Sequence, residues 1–195
     1  MVADTRTKVQ RRDRWVSWIV IVVFVVALIL GWVVKTVAEN RYVAYSDGTI
    51  QVRYPEGWIL LDVESPVIFQ AADKPTGVRT ALIIEQRPLP PSAARPLSVL
   101  LQTLTMERGS NWMAYRVLEI QEGVEIAGWT ATHVAFSYVE TNPNPFMETV
   151  PVVMRGADYL IPDGEQILIF TVIAPESEYD QVQRYLEDFV RSFQK

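Results

Sequence analysis

Residues 15–34 read WVSWIVIVVFVVALILGWVV, and no charged residue interrupts them. Wound as a helix at about 1.5 Å per residue, such a run reaches about 30 Å, the hydrocarbon thickness of a bilayer. The run therefore predicts one transmembrane helix, and whatever follows it must be a domain held at a membrane. Trp15 and Trp18 at one end and Trp32 at the other stand where indoles favour the lipid–water boundary. Arg11, Arg12 and Arg14, with Arg6 and Lys8, precede the span, whereas Lys35 and Arg41 alone follow it closely. Basic flanks resist translocation, so the N-terminus is expected in the cytoplasm and the rest of the chain on the periplasmic face of a bacterial cytoplasmic membrane. A cleaved signal peptide is the competing reading, but its apolar core usually runs about 7–15 residues, shorter than this one. Ala27 and Gly31 form a small-xxx-small pair that would let another membrane helix approach.

The expected organisation is a cytoplasmic basic tail (residues 1–14), the span (15–34), a linker (35–41) and an outer domain (42–195). Of the 18 basic and 23 acidic residues, 12 and 20 lie beyond residue 39, which gives the outer domain a net charge of about −8. Such a domain repels polyanions, and nucleic acid is not an expected partner. The chain has no cysteine. Disulfides, thiolate chemistry, iron–sulfur clusters and covalently attached haem are excluded together, so the domain must rely on its core.

Along the outer domain the apolar period changes repeatedly. Ile50, Val52 and Tyr54 alternate with polar residues, as in a half-buried strand. Residues 58–63 begin a second strand, which 67–71 continue, and 78–86 form another. Four prolines between 88 and 96 exclude regular structure there. Leu97, Leu100, Leu101 and Leu104 then share a helical face, predicting a helix over 97–108 that stops at Gly109. Strands follow at 112–120 and 124–127, joined by a hairpin at Gln121-Glu122-Gly123, then at 129–139, 148–160 and 166–174, the last almost wholly apolar and hence central. Ser177 and Asp180 resemble a capping box, and Tyr179, Val182, Tyr185, Leu186, Phe189, Val190 and Phe193 form the apolar stripe of a final helix. An α+β domain results, an antiparallel sheet covered by helices.

Catalysis finds little support. The single histidine, His133, lies in a strand where Ala131 and Ala135 share its face, and no Ser-His-Asp arrangement can be assembled from local spacing. The carboxylates at Glu119, Glu122 and Glu125, at Asp163 and Glu165, and at Glu176, Glu178 and Asp180 read as turns and a helix start without the spacing of a calcium loop. No cofactor and no metal are expected. The remaining candidates are surfaces: the stiff stretches at Pro90 and Pro91 and at Asn142, Pro143, Asn144, Pro145 and Phe146, with Phe146 as the apolar anchor of a partner contact.

The order of elements, with Tyr54-Pro55, Gly57-Trp58, Ala127-Gly128-Trp129 and a closing Phe189-Val190-Arg191-Ser192-Phe193, resembles the PsbP and Mog1-like domains. The resemblance implies an antiparallel sheet sandwiched by helices and a non-catalytic accessory subunit docked on a larger membrane protein complex, a photosynthetic or respiratory electron-transfer complex among the options. It supplies no matched metal or partner residues. The alternative is a membrane-anchored module that binds a lipid or other apolar molecule between helix and sheet, which needs a cavity of at least about 300 Å³.

Overall fold

The computed structural model describes residues 4–39, 41–89, 96–141 and 150–194. The chain divides into two compact units, Met1–Arg41 and Tyr42–Lys195.

The first unit is one helix, α1 (Asp4–Glu39). Within it, Trp18–Lys35 has a mean hydropathy of 2.7 and none of it is buried, so it is long and apolar enough to cross a membrane. Trp18 and Trp32 are about two-thirds exposed, at 66% and 67%. Arg11, Arg12, Arg14 and Trp15 fall in the stretch of α1 where the backbone alone is described. Residues 4–14 of the basic tail are helical, and so is the linker as far as Glu39. The reason is cooperative: no proline or glycine interrupts either flank, so a helix nucleated in the span propagates outward one hydrogen bond at a time.

The second unit is built on strands. β1 (Tyr42–Ser46) and β2 (Gln51–Pro55) form an antiparallel hairpin. Then come β3 (Ile59–Leu60), β4 (Val67–Ala72), β5 (Ala81–Pro88), helix α2 (Pro96–Asn111), β6 (Met113–Ile126), β7 (Trp129–Glu140), β8 (Val152–Asp163), β9 (Gln166–Pro175) and helix α3 (Tyr179–Ser192). The main sheet has seven strands in the order β3-β4-β5-β9-β8-β7-β6, every neighbouring pair antiparallel. β9, the apolar run, is the central strand as its composition requires, with Ile167–Ala174 buried throughout.

One face of the sheet is covered by α3 and the β1–β2 hairpin. There Val182, Leu186, Phe189 and Val190 meet Phe69, Leu82, Ile84, Phe170 and Val172, with Ile50, Val52 and Tyr54 closing the side. Gln51 and Gln194 exchange backbone hydrogen bonds of 2.8 and 2.9 Å, so the last residues of the domain pair with its first hairpin. On the opposite face α2 lays Leu100 and Leu104 on Val134, Leu160, Ile167 and Ile169. The helix is short relative to the sheet, and the rest of that face carries an aromatic cluster instead.

Four local expectations change. β3 and β4 pair with each other (Ile59 with Ala72, Leu60 with Ala71) rather than forming one strand, because the chain reverses between them. Gln121-Glu122-Gly123 is no hairpin: β6 runs through it with a register skip between Gln121 and Val124, and Gly123 adopts φ +72° to absorb the extra residue as a bulge. The reversal comes at Ala127-Gly128, whose φ values of 51° and 89° make the primed turn that matches strand twist. α2 passes Gly109 and ends at Asn111, held by side-chain contacts of Arg108 described below. α3 starts after Glu178 with no side-chain cap; Glu178 N donates to Pro175 O, and that turn sets the start instead of a Ser177 box.

Candidate functional site

The last turn of α2 is fixed to the sheet by a buried ion pair. Arg108 and Asp158 meet through two hydrogen bonds, one from Nη1 to Oδ2 and one of 3.0 Å from Nη2 to Oδ1. Asp158 also accepts 2.7 Å from the Thr171 hydroxyl, and Glu85 stands 3.9 Å from Arg108 Nη2. Burial disfavours the guanidinium charge, but Asp158 and Glu85 more than offset this, so Arg108 is held above its ordinary range and stays cationic. Arg87 extends the network at the surface, 2.9 Å from Glu85 and 2.8 Å from Glu107.

Above this pair lies the aromatic cluster. The Arg108 guanidinium sits 4.7 Å from the Phe136 ring centroid and 5.1 Å from that of Trp112, within the range of cation–π attraction. Phe136 itself lies across Gly156, its cross-strand partner; a Cβ there would meet Phe136 Cζ at 2.3 Å, so only glycine fits. Trp112 stacks on Tyr138 with centroids 4.4 Å apart. Burial, and then Glu140, raise the Tyr138 phenol well above its usual range, so it remains a neutral donor.

Beyond the Trp112–Tyr138 stack the α2 face of the sheet opens into a groove of about 520 Å³. Its floor is Ala81, Ile83, Met154 and Ile173, its wall Trp112 and Tyr138, and its polar rim Gln70, Arg79, Asn111 and Glu140. The segment Pro75-Thr76-Gly77 closes the far side, tied down by Arg79 Nη1 donating 3.0 Å to Pro75 O. Preformed, apolar-floored and polar-rimmed, this is the concave surface that a docked segment or a small molecule requires. A second groove of about 560 Å³ runs between the β1–β2 hairpin and α3, where the Tyr42 hydroxyl donates 3.0 Å to Asp188; burial and that carboxylate push the phenol up to about 12. Its lining is mostly the polar edge of the hairpin.

The expected sites distribute unevenly over this frame. Pro90, Pro91 and residues 142–146, Phe146 included, lie outside the described residues. β7 and β8, which flank 142–146, pair as far as Glu140 and Val152, and Glu140 is on the groove rim. Ala27 and Gly31 stand one turn apart on the exposed α1, and a Cβ on Gly31 would meet nothing within 4 Å. His133 lies against the Tyr159 ring at 4.8 Å, and burial lowers its pKa, leaving it a neutral packed imidazole at neutral pH. Among the described residues no group of three His, Asp or Glu could hold a metal. Sequence reading missed the Arg108–Asp158 pair because the partners are 50 residues apart. Its one trace was an aspartate set inside an apolar strand, between Ala157 and Tyr159.

No protein-family model and no curated protein sequence matches the chain. Solved structures do. The solution structure of cyanobacterial PsbP (CyanoP) from Synechocystis sp. PCC 6803 superposes with a TM-score of 0.52 at 16% identity, over 78% of this chain and 91% of that one. The domain from Tyr42 onward has a PsbP-like fold. The resemblance read from Tyr54-Pro55, Gly57-Trp58 and the closing helix thus holds at the level of fold, with the antiparallel sheet and helices it implied. The Saccharomyces cerevisiae Ran-binding protein Mog1p aligns at 14% identity over 80% of this chain and 94% of its own, with a TM-score of 0.48. LpqN of Mycobacterium tuberculosis, involved in cell envelope biogenesis, aligns at 14% over 78% and 89%, also with 0.48. In the PsbP-like domain, the Trp112 groove is the concave site that combines an aromatic wall with an apolar floor.

Proposed function

We propose that this protein is a single-span accessory subunit, non-catalytic, whose PsbP-like outer domain docks on a larger membrane protein complex of the same bilayer. α1 holds the domain at the bacterial cytoplasmic membrane with its N-terminus in the cytoplasm, and the domain works on the periplasmic side. The observation that carries the docking is the Trp112–Tyr138 groove: a rigid aromatic wall over an apolar floor, with charges confined to the rim, is the anatomy of an interface core. An extended segment of the partner is its occupant, and electron-transfer complexes are the first partners to test.

The direct experiment is purification of the full chain from its own membranes in mild detergent, with mass spectrometry of everything that comigrates. One complex should co-purify stoichiometrically and be lost from Trp112→Ala, a truncation worth about 2 kcal/mol or more at an interface hot spot, roughly 30-fold in affinity. A protein that runs alone under all mild conditions defeats this reading. The groove volume favours one second reading, an apolar small molecule on Met154 and Ile173, since about 520 Å³ suffices for one. Solvent extraction of the lone protein, yielding one enriched lipid or small molecule, would install that reading in place of the first.

A further inference from the structure

Three side chains stand in one row across the α3 face of β6, β7 and β8. Arg116 pairs with Ser137, and Ser137 pairs with Arg155, so the three occupy directly opposed positions on adjacent strands and point to the same side of the sheet. The strands are about 4.8 Å apart, which puts the two arginine Cα atoms about 10 Å from each other, with the serine hydroxyl between them. Arg116 Nε already reaches that hydroxyl, at 3.4 Å. α3 begins at Tyr179, and the Arg155 guanidinium lies 4.8 Å from the Tyr179 ring centroid. The row therefore abuts the start of a helix whose N-cap residue, Glu178, supplies no side-chain acceptor.

Two facts make this row unlike an ordinary solvated pair of arginines. Among the described residues neither Arg116 nor Arg155 makes an ion pair, in a domain that carries about eight excess negative charges. Of the carboxylates around the row, Glu119 accepts 2.6 Å from Gln121 Nε2, and Asp180, with Glu176 and Glu178, stands at the start of α3 and makes no ion pair with either arginine. In addition, Arg155 Nε is out of contact with solvent and has no hydrogen-bond partner. A buried donor left unmade is costly, and more so on a charged group.

We propose that Arg116, Ser137 and Arg155 form a binding site for a phosphoryl group. A carboxylate, with two oxygens in a plane, is satisfied by one guanidinium. Two guanidinium groups and a hydroxyl on three strands match a tetrahedral oxyanion that takes donors from several directions. The group arrives either as free phosphate or on an ester such as a phospholipid headgroup, and the chemistry of recognition is shared. The site is on the opposite side of the sheet from the Trp112 groove and does not depend on the docking proposed above.

The test is calorimetric titration of the full chain in a non-ionic detergent with inorganic phosphate and, separately, with glycerophosphoglycerol, at constant ionic strength set by sodium chloride. Saturable binding of at least one probe, weakened tenfold or more in Arg155→Gln and in Arg116→Gln but unchanged in Arg184→Gln, is the expected result. Tighter binding of the diester assigns the site to a lipid headgroup, and tighter binding of phosphate to the free ion. Arg116 is exposed, so Arg116→Gln keeps the test decisive if Arg155→Gln fails to fold. No binding of either probe, or equal binding by wild type and Arg116→Gln, overturns the proposal.

Discussion

Single residues decide how the α2 face is held. Asp158 is 2% exposed and neutralises an Arg108 that is itself only 7% exposed. Asp158→Asn leaves that charge with only Glu85, 3.9 Å away, and urea unfolding should show a loss of about 3–5 kcal/mol, whereas replacing both Arg108 and Asp158 by apolar residues of similar volume should cost far less. Gly156 is constrained by a ring rather than by its own backbone. Gly156→Ala drives a methyl into Phe136 and should cost about 1–3 kcal/mol, with much of the loss recovered in Gly156→Ala with Phe136→Leu. Neither dependence was legible in the sequence. A pattern of apolar periods shows which way a side chain faces, but not which residue 20 or 50 positions away it meets. Tyr54, Leu100 and Phe189 were legible because their burial follows from period alone; Asp158 and Gly156 were not, because their meaning is a pair.

Elements were read more fully than their junctions. α2 and α3 and the strands β2, β5, β7 and β9 stand where their periods put them, since each spans enough residues for the period to be counted. The junctions went astray where one signal serves two geometries. A glycine after two polar residues suits a hairpin and a bulge alike, and at Gly123 the length of β7 opposite decides for the bulge. The last helix closes the core on one face of the sheet. Phe189 is fully buried and touches Phe69 and Phe170, with ring centroids 5.4 and 6.0 Å away. Phe189→Ala should cost about 3–5 kcal/mol, measurable as a drop in the midpoint of urea unfolding, whereas Arg191→Ala on the exposed side of the same helix should stay within about 0.5 kcal/mol.

At the scale of the molecule, the two units want different surroundings. The full chain should extract from membranes only with detergent, and a chain beginning at Tyr42 should remain soluble and folded by circular dichroism; an insoluble, unfolded product would show that the domain depends on α1. The domain also has a built-in alkaline limit. Burial, first, raises the Tyr42 and Tyr179 phenols from 10.0 to about 12 in the folded state. Between pH 10 and about 12 the unfolded chain therefore sheds these protons before the folded one does, and stability falls as pH rises through that window while remaining flat below it. Urea midpoints taken on both sides of pH 10, alongside phenolate absorbance, would register the change, and Tyr42→Phe should blunt it.

The backbone pairing of Gln51 with Gln194 joins the first hairpin to the last described residue. Ribosomes deliver those two partners at different times: the hairpin emerges directly behind α1, and Gln194 follows much later in the chain. The hairpin stays unlatched until Gln194 has emerged. A ribosome stalled ahead of Gln194 would thus hold the domain in an open, protease-sensitive form.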